Sequence, residues 1–174
     1  MMFHRLGLIN KNQRGFTLIE LLIAIAITGL ITGGVTTAIF QTFTVNARNS
    51  SHMTAVRQVQ NAGYWISHDT QMAQEVELYP DPDGFLKLTW TEWVDSTENK
   101  VTYAIADGGE LKRSHSENGV LTSEMIVARY IDSAKTSCQV TAGVLIVTVT
   151  AAVGDYPETV SETRVYKITP RPNI

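Results

Sequence analysis

Residues 14–22 read Arg14-Gly15-Phe16-Thr17-Leu18-Ile19-Glu20-Leu21-Leu22, and the chain continues IAIAITGLITGGVTTAIF as far as Phe40. From Phe16 onward this is a nearly unbroken apolar run of 25 residues. As an α-helix rising about 1.5 Å per residue it would be roughly 37 Å long, more than the ~30 Å hydrocarbon thickness of a bilayer. The first reading is therefore a membrane span. Between Arg14 and Arg48 the one charged residue is Glu20. Ahead of the run stand His4, Arg5, Lys11 and Arg14 with no acid, so the positive-inside rule places the amino terminus in the cytoplasm and everything after Phe40 outside. A secretory signal peptide competes with this reading, but it needs a short apolar core followed by a small-residue cleavage site. Val45-Asn46-Ala47 could pass for that site, yet the apolar run before it is too long.

Glu20 is the anomaly, because a carboxylate in an apolar run costs several kcal/mol unless it is paired, neutralised or able to reach water. Near the cytoplasmic end it could simply snorkel to the headgroups. Its neighbours support a more specific reading. The segment from Arg14 to Leu22 resembles the processing site of type IV prepilins and type II secretion pseudopilins: a short basic leader with Lys11 and Arg14 near its end, then Gly15, Phe16 and, at the fifth position of the mature chain, Glu20. The resemblance implies that prepilin peptidase removes residues 1–15 by cutting between Gly15 and Phe16 and methylates the new amine of Phe16. It implies also that Glu20 meets the amino-terminal charge of a neighbouring subunit during assembly, since a charge that is costly alone in lipid is tolerated when matched by an opposite one.

Past Phe40 the pattern turns amphipathic. Val45, His52, Val56, Val59, Ile66 and Met72 recur at spacings near three, four and seven, as one buried helical face requires, while Arg48, Arg57, Gln58, Gln60, Asn61 and Asp69 take the other face. The helix is expected to continue to about Leu78, where Pro80-Asp81-Pro82-Asp83-Gly84 stops it. Gly29, Gly33 and Gly34, among Thr28, Thr32, Thr36 and Thr37, weaken the apolar half. Small residues there suit close helix packing in membranes; the resemblance implies instead a stretch between Gly29 and Thr37 that unwinds in the filament. Gly63 is a second expected soft point.

From Phe85 the period shifts toward two. Leu86, Leu88 and Trp90 alternate with polar neighbours, Val101, Tyr103 and Ile105 form another strand, and Asp107-Gly108-Gly109 turns the chain into a return strand through Leu111. Ser116-Glu117-Asn118-Gly119 is a further turn, and apolar segments follow at residues 125–131, 143–153 and 160–168. Six or so short strands without helical periods predict one antiparallel sheet whose buried face covers the second half of the helix. The expected fold class is α+β and pilin-like: residues 1–15 a removed leader, 16–40 the transmembrane and filament-core half of the helix, 41–79 its amphipathic half, and 80–174 an antiparallel β domain. The tract Trp65-Ile66-Ser67-His68-Asp69, then Ala73, the hairpin of residues 103–113, and the end Thr169-Pro170-Arg171-Pro172-Asn173 look like parts of the J-type or W-type minor pilins. That resemblance implies a place at or near a filament tip, priming assembly.

Other chemistry finds little support. The net charge of −3 divides into a leader of +3 and a remainder of −6, with 11 basic residues against all 17 acids, and no Lys/Arg stripe suggests nucleic-acid binding. Asp81 and Asp83 beside Gly84 resemble the start of a calcium loop, but the later ligand positions fail, and Asp, Pro and Gly favour a plain turn. His52 and His68 are too far apart on one helix for a ligand pair, and His115 is assigned to a turn. Ser114, His115 and Ser116 are adjacent in sequence, which does not make a catalytic triad. Cys138, the single cysteine, cannot form an internal disulfide; burial as a small hydrophobe is favoured over an intermolecular bridge. The expectation is a non-enzymatic structural subunit without cofactor or metal. Its implied partners are homologous pilin or pseudopilin subunits, prepilin peptidase, an assembly platform in the inner membrane, and the lipid bilayer before assembly. It would sit as a single-pass protein of a bacterial or archaeal cytoplasmic membrane and then in an extracellular or periplasmic filament. The alternative is a permanently anchored single-span protein whose outer domain binds a ligand or partner.

Overall fold

The computed structural model describes residues 15–79, 84–154 and 159–171. The leader residues Lys11 and Arg14, the acids Asp81 and Asp83, and Pro172 and Asn173 lie outside them. The chain divides into two compact units, one ending at Thr44 and one beginning at Val45. A single α-helix, α1, spans Leu18–Met72.

In the first unit α1 is unbroken across Gly29, Gly33 and Gly34. Thr28, Thr36 and Thr37 do not present free hydroxyls to an apolar surrounding. Thr28 donates to the carbonyl of Ala24 at 2.7 Å, Thr36 to Thr32 at 2.8 Å and Thr37 to Gly33 at 2.9 Å. Each hydroxyl is thereby satisfied within the helix, as a lipid-facing polar group must be. Residues 15–50 are all exposed, and the helix contains a stretch long and apolar enough to cross a membrane.

The second unit contains eight strands rather than six: β1 Glu75–Leu78, β2 Leu86–Thr91, β3 Glu98–Ala106, β4 Glu110–Glu117, β5 Val120–Ala128, β6 Ser137–Thr141, β7 Val144–Val153 and β8 Val160–Ile168. They form two antiparallel sheets, β1-β2-β3-β4-β5 and β6-β7-β8, where the sequence led us to expect one. The break falls after β5. Tyr130 adopts φ 61°, and Asp132 closes a tight turn by accepting from the Lys135 amide at 3.2 Å and, through Oδ1, from the Ala134 amide at 3.1 Å.

The helix ends at Met72, six residues before its expected limit. In Glu75-Val76-Glu77-Leu78 the apolar residues alternate with glutamates, which suits a half-buried strand better than a helical face. That tract pairs with β2, Glu75 opposite Thr89 and Leu78 opposite Leu86, and the Gln74 amide opens the ladder by donating to the Thr89 carbonyl at 2.9 Å. The hairpins follow their turn residues. Asp107, Gly108 and Gly109 form a three-residue loop between β3 and β4, its two glycines at φ 86° and 77°, whereas Asn118 and Gly119 (φ 48° and 82°) join β4 to β5 as the two-residue turn that requires positive φ at both positions.

The core joins Ala55, Val59, Ala62 and Ile66 of α1 to Leu86, Leu88, Val101 and Tyr103 of the larger sheet and to Leu145, Val147 and Val149 of the smaller one. Two members of the expected helical face, Val59 and Ile66, are in it, and Val56 is half-buried. Val45, His52 and Met72 instead face outward, and Ala55, Ala62 and Gly63 take the buried positions. Small side chains let strands approach the helix closely. Gly63 shows this best: a Cβ there would overlap the ring of Tyr166, whose hydroxyl donates to the Val59 carbonyl at 2.8 Å. The expected soft point is thus a seat for β8, and α1 runs through it unbroken.

Candidate functional site

At the amino-terminal end of the described chain, residues 15–17 are non-helical and exposed, and α1 begins only at Leu18. Thr17 sets that start. Its carbonyl accepts from the amides of Glu20 at 3.1 Å and Leu21 at 3.2 Å, and its hydroxyl oxygen accepts from the Glu20 amide at 3.3 Å. Thr17-Leu18-Ile19-Glu20 is therefore a capping-box sequence, a local signal that the reading of residue types alone passed over. Three consequences follow. The Gly15–Phe16 bond stays outside the helix, in exposed chain of the kind proteases cut. The Phe16 side chain projects freely, 84% exposed. Glu20 lies in the first turn, where the helix dipole favours a carboxylate.

One turn apart in α1, Gly29 and Gly33 are spaced as small residues at close helix-helix contacts are, and a Cβ built at either, or at Gly34, meets nothing within 4 Å. Around them the large side chains stand in the open, with Leu30 79% exposed. So large a contiguous apolar surface on a water-soluble chain marks an interaction with membrane or protein.

The second unit holds a polar centre that the sequence reading missed. Asp69, assigned to the outer face of the helix, is only 1% exposed. Arg113 of β4 donates to it through Nε at 2.7 Å and Nη2 at 3.0 Å, the Tyr103 hydroxyl of β3 donates at 2.5 Å, and His68 Nδ1 lies 3.2 Å from Oδ1. The Arg113 guanidinium lies over the Trp65 ring, 5.1 Å from its centroid. Burial alone would raise the Asp69 pKa, but the hydrogen bonds from Arg113, Tyr103 and His68 outweigh it and hold the carboxyl below its ordinary value. Arg113 is correspondingly raised, chiefly by its bond to Asp69, and Tyr103 is raised by burial and by the Asp69 charge. Two signals of this centre were present in the sequence. Asp69 continues the 4,3,4,3 spacing of Ala55, Val59, Ala62 and Ile66, and Arg113 shares the strand face of buried Leu111. The centre has the form of a joint, tying α1 to the larger sheet with a bidentate, fully partnered carboxylate.

The remaining candidates are dispersed. His115 lies in β4 rather than in a turn, since the β4–β5 turn needs only Asn118 and Gly119. It stacks on Trp90 at 6.0 Å between ring centroids, and its Nε2 lies 2.9 Å from Asn99 Oδ1. Strand alternation places Ser114 and Ser116 on the opposite face of β4 from His115. Cys138 is buried in β6, where its thiol donates to the Phe85 carbonyl at 3.1 Å and burial pushes its pKa up to about 11. Among the described residues no group of three His, Cys, Asp or Glu side chains could hold a metal ion.

A capped apolar helix ahead of an antiparallel β unit is a pilin-like α+β arrangement, suited to membrane anchoring. Residues 10–36 match the family model of the prokaryotic N-terminal methylation motif, a span that includes Gly15, Phe16 and Glu20. The motif and the apolar helix together fit a pilin or pseudopilin subunit, a structural and generally non-enzymatic class that is processed by prepilin peptidase and assembles with other pilin subunits. No curated protein and no solved structure matches the chain.

Proposed function

We propose that this chain is a minor subunit of a type IV pilus or type II secretion pseudopilus. Residues 1–15 form its leader, the Gly15–Phe16 bond is cut, and the Phe16 amine is methylated. Residues 16–40 then hold the subunit in the cytoplasmic membrane, with the β unit outside, until assembly. The observation that supports this most is the pairing of the methylation motif with a helix that buries none of residues 18–44. Such a surface is stable in lipid or against other apolar helices, so transfer from membrane to filament exchanges one dry environment for another. Gly29, Gly33 and Gly34 allow neighbouring helices close, and in the packed filament this weak stretch is where α1 would unwind. The resemblances at Trp65–Asp69 and in the β3–β4 hairpin favour a J-type or W-type subunit at or near the tip, contacting the inner-membrane assembly platform as the filament begins.

Glu20 carries the assembly role in this reading, by pairing with the amino-terminal charge of the adjacent subunit. The test is incorporation of tagged Glu20→Gln chain into sheared filaments of its own host. Charge neutralisation should lower incorporation by about ten-fold, the factor expected for losing about 1.4 kcal/mol of contact, while leaving cleavage at Gly15 intact. Incorporation equal to the wild type would refute the pairing role.

A further inference from the structure

The β2–β3 hairpin ends in Trp90-Thr91-Glu92-Trp93-Val94, and its tip is unusually apolar for a surface turn. Trp93 is 69% exposed and Val94 97%. The turn is closed rather than loose. The Glu92 amide donates to the Thr97 carbonyl at 3.0 Å, the Ser96 amide to the Glu92 carbonyl at 3.1 Å, and the Thr97 amide to Asp95 Oδ1 at 3.0 Å. Ser96 is held at φ 57° to make this possible. The backbone thus keeps the indole of Trp93 in solvent, although tryptophan gains strongly from burial.

Beside that indole is an open cleft of about 510 Å³, lined by Trp93 and Trp90, by Glu92, by Gln71 at the end of α1, and by Arg171 of the chain's last described segment. Arg171 is anchored there by its amide, which donates to the Ala73 carbonyl at 3.0 Å. Trp90 is 6% exposed, and its indole N–H has no hydrogen-bond partner among the described residues. The volume falls in the range of small-molecule sites, which combine apolar and aromatic walls with a few polar groups.

We propose that this cleft binds a neutral saccharide. A sugar ring presents an apolar C–H face that can lie on the exposed indole of Trp93. Its hydroxyls both donate and accept, matching Glu92 as acceptor, Arg171 as donor and the Gln71 amide as both. One carboxylate and one guanidinium nearly cancel, which disfavours a phosphate-rich or polyanionic ligand, and a single carboxylate is too few for a cation. The cleft does not depend on the filament reading, since the residues that line it, Gln71 of α1 included, all lie in the second unit.

The test titrates the full chain in lipid nanodiscs, free of sugar-headed detergent, with chitotetraose, cellotetraose and maltotetraose. The readouts are tryptophan emission and calorimetry. At least one of these should bind saturably, with a Kd on the order of 1 mM and a blue-shifted emission. Trp93→Ala should weaken that binding about ten-fold or more, Trp93→Tyr should retain most of it, and Glu92→Gln should fall between. No saturable response to any of the three sugars overturns the proposal, as does equal binding by Trp93→Ala. A Trp93→Ala chain that loses contact with a partner subunit, in a protein that ignores all three sugars, would assign the tip to protein docking and overturn it too.

Discussion

The two halves of α1 share one helical backbone but solve opposite problems. Up to Thr44 the helix offers bulky apolar side chains on every side and buries none of them. From Val45 on it offers Val59 and Ile66, small alanine and glycine positions and one carboxylate to a core built by two sheets. The comparison shows that hydrophobicity and burial are different properties. The more apolar half is the one left bare, because its complement is lipid or another helix, whereas the more polar half is the true core element. The same residue type also changes meaning between them. Gly33 has empty space where a Cβ would be, and Gly63 has the Tyr166 ring.

The largest break in this comparison should come from Arg113→Met. It leaves Asp69 buried without its main partner, and loss of one member of a buried pair costs about 3–5 kcal/mol. Chemical denaturation of the full chain in micelles, followed by near-UV circular dichroism, should show that loss in the β unit, while the helicity of residues 18–44 persists. Next in size is Gly63→Ala, which forces Tyr166 aside at a cost of about 1–3 kcal/mol. Pairing it with Tyr166→Ala should recover part of the loss. Gly33→Ala should leave the stability of the β unit unchanged and favour the helix by up to about 1 kcal/mol. A destabilisation equal to that of Gly63→Ala would erase the distinction between the halves.

The smallest effect concerns pH. Asp69 is held below its ordinary value of 3.8, so its contribution is complete above that value and is lost as pH falls through the lower, folded one. The β unit should therefore weaken in acid below about pH 4. Asp69→Asn, less stable at neutral pH, should show a flatter acid limb. Parallel acid curves for the two chains would show that the carboxylate is not the group responsible.

These contrasts also mark what was legible in sequence. The apolar half, the Gly15-Phe16-Glu20 pattern and the hairpin turns at Gly108 and Asn118-Gly119 could be read directly, because local hydropathy and backbone preference determine them. The helix end was misplaced because Val76 and Leu78 fit a helical face nearly as well as a strand, and the choice was made by pairing with β2. The Asp69 centre was missed for a related reason. A carboxylate is exposed by default, and its burial depends on Tyr103 and Arg113, 34 and 44 residues away. The division into two sheets likewise depends on one turn, at residues 130–136, whose effect is tertiary.

The central claim is that residues 1–15 are a leader and that the exposed bond ahead of the Thr17 cap is cut. Intact-mass spectrometry of the membrane-extracted chain, co-expressed with a prepilin peptidase, tests it most directly. The account predicts a protein beginning at an N-methylated Phe16, and a Gly15→Leu chain that keeps its leader. A wild-type chain recovered with residues 1–15 still attached, in the presence of active peptidase, would contradict it.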